Sequence, residues 1–108
     1  MVQQIAVRQL AAHIANGHAV HLLDVRQPWE HETAALPGSQ LIPLNELPAR
    51  AAEVAPPAGV PVVVSCHHGI RSQPAAALLQ RRGLHEVYSL AGGIDAWSAL
   101  IDPTVPRY

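Results

Sequence analysis

The residue with the most reactive chemistry in this chain is its only cysteine, Cys66. It stands in the run Val62-Val63-Val64-Ser65-Cys66-His67-His68-Gly69-Ile70-Arg71-Ser72. Three valines lead into it, which places the thiol at the C-terminal end of a buried strand. Alanines and leucines follow from Ala75 to Leu79, a helix-forming stretch with Ser72 as its expected N-cap and Pro74 in its first turn. A loop that curls around the sulfur turns successive backbone N–H groups inward as an anion nest. The helix N-terminus adds partial positive charge, and Gly69 supplies the positive φ that the curl needs. Arg71 brings a permanent, forked charge, and His67 and His68 add backbone donors and, when protonated, positive potential. Such a loop stabilises a thiolate, a persulfide anion or an oxyanion. A cysteine after a strand is often only a small buried side chain. A purely structural thiol, however, has no use for this many polar neighbours.

The elements that must hold this loop are legible in the alternation of short apolar runs with helical spacing. Residues 5–7 read as a strand, Leu10, Ala11, Ile14 and Ala15 recur at helical spacing, and Gly17 stands where a helix C-cap belongs. Residues 20–24 form a buried strand ending on Asp24, Pro28-Trp29-Glu30 starts a short helix, and Pro37-Gly38 makes a turn. Residues 40–43 are a strand and 44–54 a helix closed by Pro56-Pro57; residues 60–65 are the central strand, with Pro61 at its start. Gly83 ends the helix after the cysteine, residues 87–90 are a last strand, Gly92-Gly93 a turn, and 94–100 a closing helix. Strands separated by helices imply an α/β fold, a mainly parallel central sheet of about five strands with helices on both faces. Ligands of such sheets bind at the C-terminal strand ends, where Cys66 lies.

Composition narrows the class further. A length of 108 residues, 49% of them hydrophobic, suits a single domain over 1–108. A net charge of −1 offers no basic field for nucleic acid. Apolar runs such as 62–64 fall far short of the roughly 20 residues that span a bilayer, so no membrane partner is expected. The opening Met1-Val2-Gln3-Gln4 does not read as a secretory signal, and one free thiol suits a reducing compartment, hence a cytoplasmic location. Adjacent residues such as His67 and His68 seldom aim at one ion, and no second cysteine completes a zinc set, so no metal is expected. The remaining histidines are scattered, with His31 near the 28–30 segment. Asp24 and Arg26 are expected to be buried and paired, and Trp29 and Trp97 to serve packing.

Four segments in order resemble the rhodanese family over nearly the whole chain. Leu22-Leu23-Asp24-Val25-Arg26 with Glu30 resembles its first signature, and Leu36-Pro37-Gly38-Ser39 with Ile42-Pro43-Leu44 the turn and strand that follow. Cys66 to Ser72 resembles its active-site loop, and Ala91-Gly92-Gly93-Ile94-Asp95-Ala96-Trp97 its closing glycine–tryptophan signature. The resemblance implies a rhodanese-like fold and a thiosulfate sulfurtransferase needing no cofactor. Cys66 would be the catalytic residue, with His67, His68, Gly69, Ile70, Arg71 and Ser72 as the substrate-binding loop. Sulfane sulfur from thiosulfate or a low-molecular-weight persulfide would pass through a Cys66 persulfide to cyanide or a thiol. A protein sulfur acceptor stays open. Two rivals share the scaffold: a non-catalytic binding or sulfur-carrier module, and a phosphatase or arsenate reductase. The related phosphatases have one more residue between Cys and Arg than the four from His67 to Ile70.

Overall fold

A computed structural model describes residues 2–108 of the chain. Its elements are β1 (Gln3–Ile5), α1 (Val7–Ala15), β2 (His21–Asp24), α2 (Pro28–Thr33), β3 (Gln40–Leu41) and α3 (Leu47–Arg50) with a 3-10 turn at Ala51–Glu53. They continue through β4 (Val62–Ser65), α4 (Ser72–Arg81), β5 (Val87–Leu90) and α5 (Gly93–Leu100). The five strands form one sheet in the order β1-β5-β4-β2-β3, and every pairing is parallel. The α/β class and the strand count therefore agree with the reading of the sequence.

Strand β4 lies at the centre and is buried along its whole length. Its pleat sends alternate valines to opposite faces. Val62 and Val64 pack with Ala75, Ala76 and Leu79 of α4 and Leu47 of α3, whereas Val63 packs with Leu10 of α1 and Ile94 and Trp97 of α5. Both faces of the sheet are thus sealed by helices, as parallel sheets require. Because all strands run the same way, Asp24, Ser65 and Leu90 end at one edge.

Four local expectations need correction. The first strand ends at Ile5, and Val7 is the first helical residue, because Gln9 bonds back to the Ala6 amide and opens α1 there. The helix expected over 44–54 is broken into α3 and the 3-10 turn. Pro48 lacks an N–H and disfavours helical geometry in the residue before it, so it is accommodated only in a first turn. The strand expected over 40–43 pairs through only two residues, Gln40 and Leu41. Ser72 is the first residue inside α4, with Arg71 at the N-cap position and no side-chain cap.

Candidate active site

The loop from Cys66 to Arg71 joins β4 to α4, and its polar groups divide cleanly between two directions. The amides of Gly69 and Ser72 point at the Cys66 sulfur, with N···Sγ distances of 3.1 and 3.4 Å. The thiol is 3.5 Å from the Ser72 hydroxyl, which in turn pairs with the Ser89 hydroxyl on β5 at 2.7 Å. The carbonyls of Cys66 and His67 face the other way. They accept from the Ile94 and Asp95 amides at 2.8 and 3.1 Å and so satisfy the first turn of α5. Cys66 is only 1% exposed.

Two glycines make this closeness feasible. Gly69 has φ +90°, and a Cβ there would lie 2.9 Å from the Gly92 amide nitrogen. Gly93 has φ +60°, and a Cβ there would overlap the Cys66 and His67 carbonyls. Any side chain at either site meets backbone, which cannot swing aside.

At the mouth, Arg71 turns its terminal amino groups onto Glu30 of α2, at 2.7 and 2.8 Å. Those bonds hold the Glu30 carboxyl down to about 2 against the opposing effect of burial, helped by the Gln27 amide and the Tyr108 hydroxyl. The same Glu30 bonds raise Arg71 above its ordinary value, against the opposing effect of burial. Behind this pair, Arg26 is fully buried and bonds Asp24 through Nε and Nη2 at 2.8 and 2.7 Å. His31 reaches Asp24 with Nδ1 at 2.8 Å. The expected Asp24–Arg26 pairing is present, and it is structural in character.

The loop residues expected at the site are brought together to different degrees. Cys66, Gly69 and Ser72 form the sulfur cradle, and Arg71 stands beside it with Glu30. Ile70 is 75% exposed and Trp29 60%, so Trp29 is a rim residue rather than a core one; Trp97 is buried as expected. His67 and His68 stack on one another with ring centroids 3.9 Å apart. Burial, then the neighbouring His68, push His67 below the ordinary imidazole value. His67, His68 and Asp95 bring ligand atoms within 4.8 Å of one another. With stacked rings, however, the in-plane lone pairs run side by side rather than converging, and Asp95 already accepts two bonds from Arg107. The donor set is a poor fit to a metal ion.

Three participants were missed at the level of sequence. Ser89 alternates inward on β5 like any strand serine and carries no local signal. Glu30 was legible only as part of the first signature, without its partner. Tyr108, far from the loop in sequence, lies against it in space. A groove of about 380 Å³ bordered by Val20, Pro61 and Glu86 lies at the opposite strand ends, since these residues precede β2, β4 and β5. It does not contain Cys66.

The model of the rhodanese-like domain matches residues 6–100. A sulfurtransferase of Allochromatium vinosum is 35% identical, over 91% of this chain and 90% of that protein. The thiosulfate sulfurtransferase GlpE of Stutzerimonas stutzeri is 36% identical, over 80% and 77%. The crystal structure of a rhodanese-related protein from Thermoplasma volcanium superposes with a TM-score of 0.78 at 30% identity, covering 96% of this chain and 95% of that one. Other relatives are longer: the chain spans 30% of a chloroplastic rhodanese-like/PpiC domain-containing protein of Arabidopsis thaliana. Matched by the family model over residues 6–100 and by relatives of 35% and 36% identity over most of their length, the chain belongs to the rhodanese-like domain family.

Proposed function

We propose that the protein is a thiosulfate sulfurtransferase in which Cys66 carries the transferred sulfur. The observation that carries this reading is the pair of amides, from Gly69 and Ser72, directed at a buried Sγ. Fixed donors around a sulfur favour its anionic forms and need no reorganisation when charge develops. The names borne by the relatives from Allochromatium and Stutzerimonas support the same chemistry. The Cys66 thiolate attacks the outer sulfur of thiosulfate, an S–S bond forms on the enzyme, and the donor's S–S bond breaks. Sulfite leaves with the electron pair. Cyanide or a thiolate then attacks the outer persulfide sulfur and regenerates the Cys66 thiolate. Both steps balance without a cofactor.

Arg71 keeps guanidinium N–H donors beyond the two spent on Glu30, and these serve the anionic end of the donor. The short loop argues against a phosphatase: only four residues, His67 to Ile70, separate Cys66 from Arg71, one fewer than in the related phosphatases, and the tighter ring suits a single sulfur atom. An intact thiol in a formed cradle argues against a non-catalytic module. A cytoplasmic location belongs to the same proposal, because a lone exchangeable thiol suits a reducing compartment. Among the described residues no helix is long and apolar enough to cross a membrane.

The deciding experiment is intact-mass spectrometry after incubation with thiosulfate, alongside turnover with cyanide. Wild type is expected to gain one sulfur atom, and Cys66→Ser to gain none and to form no thiocyanate while keeping its circular dichroism. Thiocyanate formation by the serine variant at a comparable rate would overturn the mechanism.

A further inference from the structure

Tyr108 follows α5 by several residues, yet it touches every side of the mouth. Its hydroxyl accepts from Arg26 Nη1 at 2.7 Å and donates to Glu30 Oε2 at 2.8 Å. That Glu30 oxygen is the one that accepts from Arg71 Nη2 at 2.8 Å. Its ring lies flat on His67, with centroids 4.0 Å apart and planes within 6°. The edge of the ring meets Trp29, 5.8 Å between centroids at 80°. One side chain thus ties the buried Arg26 to the Glu30–Arg71 pair with its hydroxyl and covers the first residue after the thiol with its ring.

We infer that Tyr108 is a positioning residue for the sulfur-transfer site, its hydroxyl aligning Glu30 with Arg71 and its ring holding His67 flat against the loop. The inference rests on the proposed function for its kinetic consequence, but its geometry does not. Two separable effects follow. Donation to Glu30 offsets part of that carboxylate's charge and leaves more of the Arg71 field for an incoming anion. Burial of the His67 ring disfavours its charged form. The groups facing that ring are His68 in the loop, Asp95 on α5, Glu30 on α2 and Tyr108 itself; burial and the neighbouring His68 lower it by more than the two carboxylates and the Tyr108 backbone raise it.

Two variants separate the two effects. Tyr108→Phe keeps the ring and loses the hydroxyl; Tyr108→Ala loses both. The first measurement is the rate of Cys66 alkylation by anionic iodoacetate relative to neutral iodoacetamide. Tyr108→Phe is expected to lower that ratio, and to cut kcat/KM for thiosulfate by about three- to tenfold, chiefly through KM. A residue that merely supports the fold would slow or speed both reagents alike. The second measurement is the nuclear magnetic resonance titration of the His67 ring. Its midpoint should rise in Tyr108→Ala and stay put in Tyr108→Phe. An unchanged alkylation ratio in Tyr108→Phe overturns the hydroxyl's role. If Tyr108→Ala does not fold, the ring's role is read from Tyr108→Leu, and an unmoved His67 midpoint in the folded variant overturns it. Should wild type transfer no sulfur, the proposed function fails, while the alkylation ratio and the titration still decide the role of Tyr108.

Discussion

Arg26 and Arg71 each grip a carboxylate with two nitrogens, yet the two pairs do opposite work. Arg26 spends five hydrogen bonds: two on Asp24, and one each on the Glu30 carbonyl, the Ala34 carbonyl and the Tyr108 hydroxyl. That saturates the fork, and the side chain is 1% exposed. Among the described residues the Arg71 side chain bonds only Glu30, and it is 36% exposed. A saturated buried guanidinium has nothing to offer a ligand and everything to lose if its partner goes. An unsaturated one at a mouth can answer an incoming anion. The number of donors left over, rather than the presence of an arginine, distinguishes frame from function.

The largest effect should come from breaking the frame. Arg26→Ala strands a buried carboxylate, Asp24, and is expected to cost about 3–5 kcal/mol of folding stability by urea denaturation. A loss within the error of the measurement would mean that the buried pair is not the frame it resembles. Breaking the mouth should cost the fold less, because Glu30 keeps the Gln27 amide and the Tyr108 hydroxyl when Arg71 goes. Arg71→Ala is expected to lower the denaturation midpoint less than Arg26→Ala while losing about ten- to a hundredfold in kcat/KM with thiosulfate. Arg71→Lys should recover part of it, since a point charge cannot imitate the fork. Wild-type kinetics from a folded Arg71→Ala would erase the functional half of the comparison.

The smallest effect lies in acid. The Glu30 carboxyl is held at about 2 in the folded chain against an ordinary 4.5. A depressed carboxyl stabilises the fold above its unfolded value, and that contribution fades as pH falls from about 4.5 towards 2. The stability gap between wild type and Glu30→Gln should therefore be open at pH 6 and narrow across that window. A gap independent of pH would show that Glu30 stabilises by packing alone.

Much of this was readable from residue order. Val62 to Ser65 announced a central strand because three valines suit a pleat buried on both faces, and the spacing of Cys66, Gly69 and Arg71 announced a cradle. Local rules failed where one residue satisfies two of them. Ser72 has the composition of a cap, but its hydroxyl is drawn to the thiol and to Ser89, which only strand pairing brings near. Apolar residues over 44–54 suit a helix, yet Pro48 is tolerated only in a first turn, which sets the start of α3 at Leu47. Tyr108 meets Arg26 across 82 positions and His67 across a stacked ring. No periodicity encodes such a contact, because it exists only once the segment after α5 has folded back over the strand ends.

The overlap that Gly93 makes feasible also bears on motion. Because the first amides of α5 are held by carbonyls of the cysteine loop, the loop cannot flare open without fraying a helix that carries Ile94 and Trp97 into the core. Loop and core then open as one cooperative unit, and the Ile94 and Asp95 amides should exchange with solvent as slowly as those of β4. Under the proposed function, sulfur would reach and leave Cys66 past the side chains at the rim, Trp29 and Ile70 among them, while the backbone beneath them stays closed.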